Sequence, residues 1–216
     1  MSDVPIDDVV ARLESGEAPA RVAEATGLAG LDLVAALAHA ALGDDGALGP
    51  TLEQSAPAHP RLASALSETV WVDLFPRSNR PARLALAAGL LQVHDFWDAS
   101  HHAAQQADDL GESHVSAYWH AIAHRREPDP GNASYWFRRV GRHPVFALLA
   151  KQARPLLDEY GDAALTSRLL SGGSWEPYAF VDLATKRRSS DAMTDLARKL
   201  QRLEMILLLE ATCVWL

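Results

Sequence analysis

Histidine is unevenly distributed along this chain of 216 residues. Seven of its nine histidines lie between positions 94 and 143, which is less than a quarter of the sequence. Imidazole is the side chain that titrates near neutral pH, and it is also the commonest protein ligand of transition metals. The cluster therefore predicts an acid–base or metal site. Its members are His94, His101, His102, His114, His120, His124 and His143.

Helical spacing sorts part of this cluster into two stripes. Residues separated by four and by seven positions lie on one side of an α-helix, and polar groups occur at that spacing at positions 94, 98 and 101 and again at 120, 124 and 127. Two helices joined by a short polar loop pack antiparallel, which lets the two stripes face each other across a pocket. The predicted metal ligands are His94, Asp98, His101, His120, His124 and Glu127.

This set of ligands has a definite chemistry. Imidazole nitrogens with a few carboxylate oxygens suit a divalent transition metal such as Zn, Fe, Mn or Ni. Such a metal lowers the pKa of a bound water, and Glu127 or Asp98 would then be the catalytic general base of a hydrolase-like enzyme. The alternative is a non-enzymatic protein in which the histidines form a hydrogen-bonded core with carboxylates and carbonyls. The residues alone leave both interpretations open.

Two arginine-rich stretches, HRREPDPGN and FRRVGRHP, surround a Pro-Gly-Asn turn after the second stripe. Guanidinium groups bind carboxylates or phosphates with paired hydrogen bonds, and neighbouring aromatic rings supply a stacking surface. The pattern indicates a small anionic molecule, either as substrate or as the ligand of a binding or protein-interaction module. The competing interpretation is a structural network with nearby carboxylates. The predicted ligand-binding residues are Arg125, Arg126, Asn132, Tyr135, Trp136, Arg138, Arg139, Arg142 and His143.

Helices must position these residues, and nearly every periodic segment of the chain has helical spacing. A long helix is predicted over Pro81–Asp108 and a second over Ser113–Arg126, followed by a third that Asn132 caps and Gly141 ends. No run of alternating β-branched residues occurs. We therefore expect an all-α fold, a single irregular multi-helix bundle over residues 1–216. Within it, residues 1–59 form an acidic helical extension packed on a core of residues 60–216.

Composition and charge exclude several classes of function. The net charge of −8 arises within residues 1–59, which hold ten acidic and two basic residues, so no basic surface for nucleic acid is expected. The single cysteine, Cys213, excludes an intrachain disulfide. The N-terminus lacks the pattern of a signal peptide, and the longest apolar stretch is too short to cross a bilayer. We expect a cytoplasmic protein that contacts no membrane. The sequence does not decide between a monomer and a homo-oligomer.

Two motifs also carry a resemblance. The chain reads HDFWDASH at 94–101 and YWHAIAHRREPDPGNASYWFRRVGRHPVF at 118–146. These stretches resemble a family of uncharacterised bacterial proteins, with fungal relatives, that share HDFxDxSH and YWHxIxHRREPDxxNAxYWFRRVGxHP. The resemblance covers about a quarter of the chain and implies no activity. It implies that the two histidine stripes and the arginine-rich turn form one unit, with the acidic N-terminal part outside it.

Overall fold

The computed structural model describes residues 6–186 and 190–216 of the chain. Every regular element in these ranges is helical, so the predicted all-α, irregular multi-helix fold is confirmed. Short 3-10 helices occur at Pro60–Leu66, Glu68–Trp71 and Ser171–Gly173. The α-helices of the described ranges are α1 (Ile6–Glu14), α2 (Pro19–Thr26), α3 (Gly30–Leu42), α4 (Arg80–Val93), α5 (Trp97–Asp109), α6 (Ser116–Arg126), α7 (Pro130–Val140), α8 (Pro144–Tyr160), α9 (Ala163–Leu169), α10 (Pro177–Thr185) and α11 (Asp191–Cys213).

Helix α4 lies at the centre of the bundle and packs against α3, α5, α6 and α11. All of its residues from Leu84 to Leu91 are apolar and buried, as expected for a helix segment surrounded by others. A Cβ atom on Gly89 would come within 2.8 Å of the Trp119 ring and 2.9 Å of Leu209. This glycine therefore lets α6 and α11 approach α4 closely.

The prediction of one long helix over Pro81–Asp108 is wrong, because the chain turns between α4 and α5. Asp95 has a φ of 65°, a left-handed conformation that aspartate tolerates better than most residues. Its carboxylate pairs with Arg126 at the end of α6 and accepts hydrogen bonds from Ser55. These contacts stabilise the turn and give α5 a direction different from that of α4, so positions 94 and 101 no longer share one helix face.

The acidic N-terminal helices are tied to the rest of the described chain through backbone carbonyls. Helix α3 packs on α4 and α11, and Arg202 of α11 donates to the carbonyls of Leu42 and Gly43. Arg198 donates to the carbonyl of Gly49 in the following loop. Arginines of α11 thereby hold the end of α3 and the loop after it.

None of the described helices is by itself long and apolar enough to cross a membrane. Taken together, α2 and α3 have the length and composition of a membrane-spanning segment, but the chain bends by 100° between them.

Candidate metal centre

Three histidines from two helices meet at one point. Helix α5 supplies His101, and α6 supplies His120 and His124, one turn apart. The Nε2 atom of His101 lies 2.8 Å from that of His120 and 3.2 Å from that of His124. His120 and His124 are buried and His101 is half-buried. One ligand atom from each ring lies within 4.8 Å of the others, so this three-histidine cluster could hold a metal ion.

Hydrogen bonds alone satisfy the three Nε2 atoms of the cluster poorly. His124 Nδ1 lies 2.9 Å from Glu127 Oε2, and because a carboxylate only accepts, Nδ1 carries the proton and Nε2 of a neutral ring carries a lone pair. A single proton on His101 Nε2 would have to serve both neighbouring nitrogens. If His120 donated instead, two lone pairs would meet between His101 and His124. A cation placed between the rings satisfies all three lone pairs at once.

The spacing of the rings agrees with metal ligation. Zn–N bonds of 2.0–2.1 Å in a tetrahedral site put the nitrogens about 3.3 Å apart. The two close Nε2 separations of 2.8 and 3.2 Å reach that value after small ring movements. Three protein ligands also leave one tetrahedral position open, the arrangement of catalytic rather than purely structural zinc sites.

Burial keeps the rings in the form that binds a metal. Burial lowers the pKa of His120 to about 3, and the nearby His101, His124 and Arg139 add to this effect. Burial and then His124 lower the pKa of His101, while the carboxylates of Glu127 and Asp98 act in the opposite direction. Both rings are therefore neutral at pH 7, as metal ligation requires.

Two indole rings fix the orientation of the imidazoles. Trp136 of α7 stacks on His120 with ring centroids 3.7 Å apart and an interplanar angle of 16°. Trp97 of α5 stacks on His101 at 5.1 Å and donates its indole N–H to the carbonyl of Ala123. The sequence predicts a role in ligand binding for Trp136. In the structure both tryptophans lie against the three-histidine cluster.

Of the six predicted ligands, the structure does not bring His94 to the three-histidine cluster. Its Nε2 lies 3.0 Å from the carbonyl oxygen of Leu37 in α3, and burial lowers its pKa to about 4. The prediction of a continuous stripe fails because the turn at Asp95 separates His94 from His101. His94 is thus a buried histidine satisfied by a backbone carbonyl.

The two predicted carboxylates have different positions. Glu127 faces the outer nitrogen of His124, where it orients the ring rather than ligating with the other three. Glu127, His124 and Asp129 also form a second, more exposed group of close oxygen and nitrogen atoms. Asp98 is exposed on α5, one turn before His101. Its negative charge raises the pKa of His101, so the carboxylate lies within electrostatic reach of the three-histidine cluster.

The structure places Arg125 and Arg126 in the core, so their predicted role in ligand binding is corrected. Arg125 forms a fully buried ion pair with Glu204 of α11. Arg126 pairs with Asp95 and also donates to the carbonyl of Gln92. These guanidinium groups fix the positions of helices and are not accessible to a ligand. In the sequence, Arg125 and Arg126 look like one basic patch. The side of the helix that each residue occupies is not evident until its partner is known.

The predicted basic residues of α7 lie nearer the surface. Arg139 makes two hydrogen bonds to Asp108, at 2.7 and 3.0 Å, and its guanidinium lies 5.1 Å from the centre of the Trp136 ring. Arg138 lies 6.0 Å from the centre of the Tyr135 ring, and both side chains are exposed. Arg139 therefore connects to the three-histidine cluster through Trp136, while Arg138 and Tyr135 point away from the core.

The remaining predicted ligand-binding residues have separate surroundings. The side-chain amide of Asn132 lies 3.3 Å from His124 Nδ1, beside the three-histidine cluster. His143 has its Nε2 2.8 Å from the carbonyl oxygen of His114, and its Nδ1 accepts from the first turn of α8, so both its ring nitrogens serve the fold. Arg142 is exposed.

Sequence reasoning missed Asp95, which pairs with Arg126, and Glu204, which pairs with Arg125. Glu204 lies 79 positions beyond its partner, so no local spacing connects the two. Its position among the leucines of α11 is the signal in the sequence, since a carboxylate on a buried face requires a partner.

Comparisons of this chain with protein-family models, with curated proteins and with solved structures give no match. The resemblance of residues 94–101 and 118–146 to a bacterial and fungal family stays a prediction.

Proposed function

We propose that the protein is a metal-dependent enzyme of hydrolase type. The observation that carries this proposal is the convergence of the His101, His120 and His124 Nε2 atoms, with separations of 2.8 and 3.2 Å. Three imidazole nitrogens suit a divalent transition metal, with zinc the best match to the spacing and Fe, Mn and Ni as the other candidates. A metal held there would lower the pKa of a water at the site.

The surrounding side chains divide the remaining tasks. Glu127 accepts from His124 Nδ1 and so fixes the ring for ligation. Asp98, exposed one turn from His101, would be the general base for a water at this site. The small anionic substrate of this proposal would be bound by the exposed guanidinium groups of α7, of which Arg139 lies closest to the cluster through Trp136.

Metal content is the direct test. Protein purified without an affinity tag is expected to contain about one equivalent of metal by elemental analysis. His120→Ala and His124→Ala should lose it and bind added Zn²⁺ more than about 100-fold more weakly, since changes to orienting groups alone cost 10–100-fold. His102→Ala is the matched control, because His102 is exposed on the same turn of α5 and its ring lies against Gln106 of the same helix. Substoichiometric metal in the unmodified protein, with no tight Zn²⁺ binding on titration, contradicts the proposal.

Enzymatic activity needs a separate assay. A panel of phosphate and carboxylate esters should reveal hydrolysis that a chelator abolishes and added metal restores. Asp98→Asn should lower turnover without removing the metal, because Asp98 is proposed to act on the bound water only. If one equivalent of metal were bound but no hydrolysis were detected, the metal site would be supported and the hydrolase assignment would be contradicted.

The second candidate function is a non-enzymatic anion-binding or protein-interaction module. It is supported by the short Nε2 contacts themselves, which hydrogen bonds within a histidine core also produce. Thermal-shift measurements with phosphate, carboxylates and divalent metals discriminate between the two functions. Stabilisation by anions but not by metals favours the module, and stabilisation by Zn²⁺ that His124→Ala removes favours the metalloenzyme.

A further inference from the structure

A long apolar groove lies between α3 and α11, in a part of the molecule that the three-histidine cluster does not use. The groove has a volume of about 570 Å³. Helix α3 lines one wall with Leu31, Val34 and Ala38, and α11 lines the other with Ile206, Leu209 and Cys213. Two of the apolar side chains at its rim are strongly exposed, Leu31 at 51% and Val214 at 75%. Such a concave, solvent-accessible apolar surface indicates a binding site.

The dimensions of the groove favour a small molecule over a protein partner. Its volume lies within the range of about 300–1,000 Å³ that is typical of small-ligand sites. A stable protein interface needs on the order of 800 Å² from each partner, which is a broad surface rather than one slot between two helices. The twelve residues from Arg202 to Cys213 on α11 rise by about 16 Å. The groove is therefore long and narrow, a shape that fits an extended apolar chain.

Arg202 places a positive charge at one end of the groove. Its Nε donates to the carbonyl of Leu42 at 2.8 Å and its Nη2 to the carbonyl of Gly43 at 2.7 Å. Its stem packs on Gly49, where a Cβ atom would come within 2.8 Å. Within residues 6–186 and 190–216, no carboxylate pairs with Arg202, and its Nη1 has no hydrogen-bond partner and is not buried. The guanidinium is thus held rigidly and keeps a donor nitrogen for a ligand.

The other charged groups of the groove do not compete with this end. Glu210 is exposed on α11, about 12 Å further along the helix axis, where water screens its charge. His39 lies 3.2 Å from the exposed Asp44, so a protonated His39 already has a carboxylate partner. The half-buried Arg202 is therefore the charge that a ligand in the groove would meet with the least screening.

We propose that this groove binds an amphipathic anion, with an apolar chain along α3 and α11 and a carboxylate or similar anionic group on Arg202. Apolar contact supplies the affinity, and the guanidinium selects the charge of the head group. This site is independent of the three-histidine cluster, and either can exist without the other.

Decanoate, decanol and decyltrimethylammonium at concentrations below micelle formation are the probes. Titration calorimetry should show one decanoate per chain. A second readout is Cys213, the only cysteine of the sequence. Burial, together with the nearby Glu210, raises the pKa of the Cys213 thiol to about 11, so alkylation is best followed at pH 9 and should slow when decanoate fills the groove.

Two variants and a matched control test the arrangement. Arg202→Gln should weaken decanoate at least tenfold and leave decanol unchanged. Ala38→Phe should fill the groove and abolish binding of both, and Ala35→Phe on the same wall gives a second such variant if Ala38→Phe does not fold. Arg198→Gln is the control, because Arg198 also donates to a backbone carbonyl from α11 but does not line the groove, so its variant should bind decanoate normally.

Several results would overturn the proposal. One is equal binding of decanoate to the unmodified protein and to Arg202→Gln, and another is a preference for the cationic probe. Binding to anionic vesicles without binding of monomeric decanoate would make the groove a membrane contact instead. Dimerisation that Ala38→Phe abolishes, with no decanoate bound, would assign it to a second copy of the chain.

Discussion

Helix α6 has two buried polar faces, and they differ in whether the side chains on each face meet a partner of opposite charge. One face carries His120 and His124, whose Nε2 atoms approach a third nitrogen of the same kind. The other carries Tyr118 and Arg125, and both donate to the carboxylate of Glu204. On the first face like groups converge without a counterpart, and on the second face donors meet an acceptor of opposite charge. Buried polar groups therefore indicate a cation site where like groups converge with no opposite charge between them.

The arginine face pairs opposite charges, although Nε and Nη1 of Arg125 have no hydrogen-bond partner within the described residues. Arg125 pairs with Glu204, and its guanidinium carbon lies 4.4 Å from the centre of the Phe180 ring. Burial and then the charge of Glu204 raise the pKa of Tyr118 well above its usual value, so the phenol stays protonated and donates. A cation has no place here, because the carboxylate already has two donors. On the histidine face, none of the described residues places such an acceptor between the rings.

The largest predicted effect comes from opening the arginine network. Glu204→Ala leaves Arg125 charged, buried and without its carboxylate, so the free energy of unfolding should fall by about 3–5 kcal/mol. Urea denaturation followed by circular dichroism measures the loss. Zn²⁺ affinity of the folded fraction should stay within threefold of the unmodified protein, because the histidine face is untouched.

A paired replacement sharpens that result. Arg125→Met combined with Glu204→Met removes both charges and should recover most of the lost stability, as buried ion pairs replaced by apolar residues often do. If Glu204→Ala instead destabilised by less than about 1 kcal/mol, the two faces of α6 would not differ in the way described.

His94 is a buried histidine outside the three-histidine cluster, and it affects how stability depends on pH. Because burial lowers its pKa in the folded protein from 6.5 to about 4, the unfolded chain binds the extra proton first as pH falls. His94 therefore costs no stability above pH 6.5, and below it stability falls by up to about 1.4 kcal/mol per pH unit until about pH 4. His94→Gln keeps a donor for the Leu37 carbonyl and should flatten this part of the stability curve of metal-free protein. An unchanged slope contradicts the prediction.

Glu127→Gln probes the group that orients His124. The amide is a weaker acceptor for the Nδ1 proton, so Zn²⁺ should bind about 10–100-fold more weakly while stoichiometry stays at one. Isothermal titration with a competing chelator measures the change. Asp129→Asn is the comparison, because Asp129 belongs to the more exposed group with His124 and Glu127. A loss of one metal equivalent in both variants would show that this outer group holds a metal itself.

How far the sequence could predict the site depends on the range of each interaction. The pair His120 and His124 follows from helical spacing within α6, and His101 follows from spacing within α5 together with antiparallel packing. His94 was wrongly placed because a single residue, Asp95, adopts a positive φ that a partner on another helix stabilises. Local periodicity carries no information about that partner.

Arg125 and Arg126 also show that local periodicity predicts a helix but not the distant partners of its side chains. The helix that holds Arg125 and Arg126 was predictable, as was the all-α fold, because apolar periodicity is a local property. Their partners were not, since Glu204 and Asp95 lie 79 and 31 positions away. Tertiary packing therefore decided which basic residues remain accessible, and it left the exposed ones on α7.

The smallest predicted effect concerns Arg139, which touches the histidine face only through Trp136. Arg139→Gln removes a partly exposed ion pair with Asp108, so the free energy of unfolding should change by less than about 1 kcal/mol. It also removes a positive charge that lowers the pKa of His120, and a cation bound between the rings should feel the same repulsion. Zn²⁺ should therefore bind slightly more tightly, by less than threefold at low salt and not measurably in high salt. Arg142→Gln, on an exposed arginine that adds no such effect at His120, is the control, and weaker Zn²⁺ binding by Arg139→Gln would mean that Trp136 depends on this guanidinium to keep His120 in place.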